Sequence, residues 1–311
     1  LVTFFVKPLR YVPGHALGLL ACLTSSAASA QVPIGPSVPA LPSSPAVPTL
    51  TQTPPPIPAG RVTVSGTAAF ANNGQPIRSG LAWRIYEDRG DTSQPAIVSR
   101  SSSPTPNFNL PPGNYIMHVA YGYASAMKRL SIQSGSVNER MTINAGALRL
   151  KGAVGDSPIP PGKLAFSVYV PIAQNSEGRL VVANAKANDI IRLPEGTYHV
   201  VSTYGDANAI MRSDLKVESG RVTEATLNHR AATVTLKLVG AAGGEAFAGT
   251  AFSVLTPGGD VIREAIGAFP SVTLAEGDYV LIARHEGKVH TRDFKVESGL
   301  DRDIEIVVPP T

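Results

Sequence analysis

Three short stretches of the chain carry one pattern, L-x-x-G-x-Y. They are Leu110-Pro111-Pro112-Gly113-Asn114-Tyr115, Leu193-Pro194-Glu195-Gly196-Thr197-Tyr198 and Leu274-Ala275-Glu276-Gly277-Asp278-Tyr279. Their glycines lie 83 and 81 residues apart. In each, a turn leads into a segment of alternating apolar residues, the period of a half-buried strand. A feature recurring at fixed spacing dictates architecture before any local propensity does.

Two further landmarks keep the same order. A strand that carries an aromatic precedes each turn: Trp83, Phe166 and Phe252. A Ser-Gly turn follows each: Ser134-Gly135, Ser219-Gly220 and Ser298-Gly299. The chain therefore reads as three copies of one unit, at residues 61–145, 146–230 and 231–311. Each copy shows about seven short strands with turn signals every 8–12 residues, as in a β-sandwich. The first strand of the second unit is expected to start near Leu148, and its third strand to span residues 179–183. The expected fold is all-β: three tandem seven-stranded sandwiches of the immunoglobulin or prealbumin kind.

Alternation assigns the faces. Tyr115, Met117 and Val119 point one way, as do Tyr198, Val200 and Ser202, and Tyr279, Leu281 and Ala283. This mostly apolar set is expected in the core, facing Trp83, Phe166 and Phe252 from the opposite sheet. The opposite face varies between copies, with His199 where the others have Ile116 and Val280. Any specific function must then lie on the surfaces where the three copies differ. The joins near residues 144–147 and 229–232 are too short for free tumbling, so a stiff array is expected.

Residues 1–30 read as an export signal. Lys7 and Arg10 precede a short apolar run, and Ala28-Ser29-Ala30 forms a cleavage site after Ala30. The apolar run is shorter than the ~20 residues a spanning helix needs. Cleavage would leave no transmembrane segment in the mature chain. The alternative is lipidation at Cys22, the single cysteine, which follows Leu19-Leu20-Ala21. Residues 31–60 hold ten prolines and no charge. Six of these prolines recur every third residue, the period of a polyproline II helix, so this stretch reads as a disordered, semi-rigid linker. The formal net charge is only +4, with no Lys/Arg block. The linear sequence thus shows no electrostatic footprint for nucleic acid or anionic membrane.

A turn of the G-x-P-I type, Gly74-Gln75-Pro76-Ile77, sits between the first two strands of unit one. Gly155-Asp156-Ser157-Pro158-Ile159 and Gly244-Glu245-Ala246-Phe247 match it. With the later L-x-x-G-x-Y, this pattern resembles the prealbumin-like sandwich modules: the carboxypeptidase regulatory-like, PEGA and Cna-B-type domains. The resemblance covers residues 61–308 and implies a fold, with accessory roles as stalks or interaction modules in exported proteins. The whole chain also resembles a family of exported alphaproteobacterial proteins, which implies export and supplies no activity. Cna-B-type modules often carry a Lys–Asn cross-link. Lys151 and Asn228 fall on the right strands for one, but the acidic residue that would promote it is missing from 198–204, so no cross-link is expected.

No nucleophile elbow, zinc helix, P-loop or dinucleotide fingerprint occurs. His285 and His290 flank the hairpin Glu286-Gly287-Lys288 and read as solvated hairpin residues. Asp301, Asp303 and Glu305 alternate on the last strand; edge protection is the first reading and a weak cation site the second. Tyr86, Tyr121, Tyr123 and Tyr204 are candidate surface aromatics, and Tyr121 with Tyr123 is the candidate ligand-contact patch. The composite expectation is a non-enzymatic protein without cofactor or metal, exported to the periplasm, cell surface or medium. It would serve as a scaffold or bind a protein or cell-envelope partner; envelope polysaccharide or another glycan is the alternative ligand, and nucleic acid is not expected.

Overall fold

A computed structural model describes residues 60–90, 96–172 and 175–308, the side chains of 175–177 excepted. The export signal with Ala30, Cys22 and the proline-rich stretch to residue 59 lie outside the described residues. Repeat 1 consists of β1 (Val62–Phe70), β2 (Leu81–Glu87), β3 (Ile97–Ser101), β4 (Asn107–Leu110), β5 (Gly113–Tyr121), β6 (Ala124–Ile132) and β7 (Ser136–Ile143). Repeat 2 comprises β8 (Ala145–Val154), β9 (Ser157–Pro158), β10 (Leu164–Ile172), β11 (Asn175–Ala185), β12 (Ile190–Pro194), β13 (Gly196–Tyr204), β14 (Ile210–Val217) and β15 (Val222–Asn228). Repeat 3 contains β16 (Ala231–Val239), β17 (Thr250–Leu255), β18 (Val261–Gly267), β19 (Ser271–Ala275), β20 (Gly277–His285), β21 (Lys288–Val296) and β22 (Arg302–Val307).

Each repeat is a two-sheet sandwich with the same strand order. The smaller sheets run β4-β1-β7, β12-β8-β15 and β19-β16-β22; the larger run β3-β2-β5-β6, β11-β10-β13-β14 and β18-β17-β20-β21. In every small sheet the first strand pairs antiparallel with the fourth main strand and parallel with the last. The last strand of each repeat thus lies beside its first, which is the central strand of the small sheet.

The alternation places the core as expected. Tyr115, Met117 and Val119, with their counterparts in β13 and β20, face inward, and Trp83, Phe166 and Phe252 are at most 1% exposed. Register shows how one backbone accepts either aromatic. Gly66, Leu150 and Leu236 occupy one position, since Val62, Gly146 and Ala232 each lie opposite the motif leucine four residues earlier. A Cβ on Gly66 would stand 3.0 Å from the Trp83 ring. Repeat 1 therefore fills this layer with Trp and Gly, and repeats 2 and 3 with Phe and Leu. The larger ring is met by the smallest residue and the smaller ring by a leucine, so the two choices partly offset each other in a close-packed interior.

The tyrosine of the motif locks the turn. Tyr115 Oη donates to the Pro111 carbonyl at 3.0 Å, Tyr198 to Pro194 at 2.8 Å and Tyr279 to Ala275 at 2.8 Å. This is a tyrosine corner, which ties a strand start to backbone just upstream. Burial is the main cause that pushes all three phenols above their usual range, so they stay protonated donors. Tyr198→Phe is expected to cost about 0.5–1.5 kcal/mol. Urea denaturation would show this as a lower midpoint at unchanged slope.

Three local expectations need correction. Repeat 2 has eight strands, because Ser157–Pro158 pairs with the end of β8. The other repeats hold the same contact as single bridges, Ala69 to Pro76 and Val239 to Ala246. Strand β11 is longer than 179–183 because bulges let it follow β10 past irregular pairings. Strand β8 begins at Ala145, ahead of Leu148, so the first strand of repeat 2 starts inside repeat 1's territory.

Candidate functional site

The joins are the most elaborate non-core features, and both use equivalent parts. Ala145, the first residue of β8, packs in the core of repeat 1; Ala231, the first residue of β16, packs in that of repeat 2. Repeats 1 and 2 also each lay a β-hairpin tip on the repeat that follows. At the first join, Gly122 (φ +62°) sits so close to β12 that a Cβ there would be 2.5 Å from Arg192 Cβ. The Tyr123 amide donates to the Arg192 carbonyl at 3.0 Å. At the second, Gly205 (φ +72°) would place a Cβ 2.7 Å from Thr273 Cβ. Arg192 and Thr273 are equivalent, each preceding the motif leucine.

This geometry locates the candidate tyrosines. Tyr121 is half-buried: its ring meets Phe70 edge-on at 5.6 Å, and the Arg192 guanidinium lies 5.1 Å over it. It also borders an open cleft of about 610 Å³ with Phe70, Pro76 and Ile77. Tyr123 is 55% exposed and borders a different cleft, of about 470 Å³, with Ile190 and Arg192. The two rings thus belong to the join between repeats and open onto separate clefts. Tyr204 is only 8% exposed and sits in the core of repeat 2. The alternation that placed Tyr198 inside also places Tyr204 there.

The second join adds polar contacts. Asn208 Nδ2 donates to Tyr279 Oη at 2.8 Å, and its Oδ1 accepts from the Ala275 amide at 3.0 Å. Asp206 pairs with Arg263 at 2.5 Å. Beside them, His229 is 3% exposed, with Nε2 at 2.8 Å from Ser202 Oγ and its ring edge-on to Tyr204. Burial lowers its pKa, and a bond to the Ala209 backbone opposes that only in part. Folded His229 therefore binds a proton less readily than unfolded His229. Its stabilising effect is complete above the ordinary histidine value of about 6.5 and fades as pH falls through that value. The melting temperature is expected to drop between pH 7.5 and 5.5, and the drop should shrink in His229→Gln. An equal drop in both proteins would refute the assignment.

The remaining candidates are occupied structurally. His285 stacks on Phe247 at 5.2 Å, and its Nδ1 lies 3.3 Å from Thr250 Oγ1. His290 lies opposite Ala283. On edge strand β22 and just before it, Asp301 accepts from the Thr233 amide, Asp303 pairs with Lys237, and Glu305 accepts from the Gly243 amide. Among the described residues, no group of three or more His, Cys, Asp or Glu side chains is placed to hold a metal ion. Lys151 is exposed and lies 3.6 Å from Glu224, opposite Thr226 rather than Asn228. Arg192, Asn208 and His229 were missed by sequence reasoning. No motif surrounds them, and only the equivalence of Arg192 with Thr273 hinted at a shared position.

Residues 233–308, the body of repeat 3, match the family model described as the Rhizobiales growth-associated tandem repeat domain. A comparison with curated proteins finds no match. Among solved structures, the chain is similar to the Bacillus anthracis TIE protein at 14% identity and a TM-score of 0.25, covering 80% of this chain and 50% of that one. It therefore spans half the length of that relative. The major pilin subunit BcpA of Bacillus cereus is similar at 10% identity and a TM-score of 0.23, covering 80% and 99%. The minor pilin GBS52 of Streptococcus agalactiae is similar at 13% identity and a TM-score of 0.28, covering 55% and 95%.

Proposed function

We propose that this chain is a non-enzymatic, exported scaffold of the cell envelope. Its three sandwiches hold interaction surfaces at set spacing beyond a cleaved signal and a proline-rich spacer. The carrying observation is the pair of joins. Equivalent glycine-tipped hairpins seat on equivalent strands, and an alanine from each following repeat enters the core of the one before. Joins of this kind restrict the orientation of neighbouring repeats, which suits a spacer. The description of the matched family as a tandem repeat domain agrees with this reading. Among the described residues, no helix is long and apolar enough to cross a membrane. The export part rests on the signal pattern ending at Ala30.

Mass spectrometry of the native N-terminus, combined with fractionation, tests the reading. A chain starting at Gln31 in an envelope or secreted fraction is expected. A lipidated Cys22 start would keep the scaffold and move its attachment to a membrane surface. An unprocessed chain retained in the cytosol would overturn the proposal.

A further inference from the structure

The three repeats differ in charge. Repeat 1 (residues 61–145) carries eight Lys/Arg against four Asp/Glu, repeat 2 (146–230) ten against eight, and repeat 3 (231–311) seven against eleven. Two of repeat 1's arginines stand side by side on the outward face of its larger sheet. Arg100, Arg84, His118 and Met127 are direct neighbours across β3, β2, β5 and β6. Adjacent strands lie ~4.8 Å apart, so the first three form a continuous row of cationic or proton-accepting groups. Like charges directly opposite one another are unfavourable unless something offsets them. Among the described residues, the side chains of Arg84 and Arg100 make no hydrogen bond or ion pair. The ion pair of Arg129 with Asp88 at 3.2 Å engages neither Arg84 nor Arg100. His118 Nδ1 is buried with no hydrogen-bond partner. Its pKa is lowered by burial and then by Arg84.

The other copies serve as internal controls. The same row reads Glu264, Ser253, Ile282 and Thr291 in repeat 3. In repeat 2 its central positions are Ser167, Val201 and Arg212. The sandwich therefore does not need a cationic row here. Repeat 1 keeps one at an electrostatic cost, on a surface that differs between copies.

We infer that the Arg84–Arg100–His118 row of repeat 1 is a binding site for a carboxylate-bearing polysaccharide. This rests on the reading that the protein is exported. Two guanidinium forks side by side match the planar carboxylates of such a polymer. Met127, 70% exposed, continues the row with an apolar surface for the C–H face of a sugar ring. Arg84 and His118 are half-buried in a sheet face. Tyr86, also half-buried, meets His118 at a centroid distance of 6.3 Å and a steep ring angle, so it offers no open platform for base stacking.

The test uses the purified mature chain and polygalacturonate as probe, with dextran, duplex DNA and phosphatidylglycerol vesicles as comparisons. Arg84→Ser with Arg100→Glu installs the side chains that repeat 3 already carries in this row. Arg212→Glu with Lys288→Ser makes the same net charge change elsewhere. Polygalacturonate binding that weakens with salt, falls at least tenfold in the first variant and persists in the second is expected. Bound polymer should also raise the His118 pKa seen by NMR, a readout that a purely structural role would not move. No binding of polygalacturonate, equal loss in both variants, or preference for DNA or vesicles would overturn the inference. N-terminal mapping tests export separately, so the two readings fail independently.

Discussion

Trp83→Ala is expected to destabilise repeat 1 by about 3–5 kcal/mol, the range for removing a buried aromatic. In a domain of this size that lowers the melting temperature by more than about 12 °C. Replacing the opposite residue, Gly66→Leu, should cost about 1–3 kcal/mol or more by overpacking, because even a Cβ there would touch the indole at 3.0 Å. The informative variant combines Gly66→Leu with Trp83→Phe and so copies the Leu150–Phe166 pair of repeat 2. It should recover part of the loss, with a coupling energy within the ~0.5–3 kcal/mol seen for touching residues. Trp83 is the only tryptophan. Its fluorescence therefore isolates repeat 1 in the single Gly66→Leu variant, and calorimetry follows the others. Additive losses in the double variant would show that the copies do not share one packing plan.

Gly205→Val should damage the second join. Its cost combines a left-handed backbone angle, about 1–2 kcal/mol for a residue with a Cβ, and a clash with Thr273, about 1–3 kcal/mol. Gly122→Val should behave alike against Arg192. Repeat 3 provides the control: the position equivalent to Gly122 and Gly205 in its tip is Glu286 (φ +49°), and the next residue, Gly287 (φ +76°), has nothing within 4 Å of an added Cβ. Gly287→Val should show only the backbone cost. The difference between Gly205→Val and Gly287→Val in denaturant unfolding isolates the join, and equal losses would mean that the tip does not seat on the next repeat.

The fold was legible because sandwich strands write their faces in period two and the repeat wrote them three times. Tyr198, Val200 and Ser202 could be placed inward from alternation alone, and Trp83 could be matched with Phe166 and Phe252. The joins were less legible. Gly122 and Gly205 read as ordinary turn glycines, and nothing local to Arg192 or Thr273 marks them as seats. Ser202 looked like a polar lapse in a core face until His229, 27 residues later, closed the hydrogen bond. The basic row was hidden for a related reason. Arg84, Arg100 and His118 are far apart in sequence, so the absence of a Lys/Arg block suggested no charged site, and only strand register brings them together.

The repeats are interlocked rather than merely strung together. Amide hydrogen exchange in the intact protein tests this at two sites, the Tyr123 amide bonded to Arg192 and the Ala275 amide bonded to Asn208. Both should be protected to the level of the neighbouring sheets and should open together with them. Exchange of both at the rate of an unprotected loop, while the sandwich cores stay protected, would contradict it.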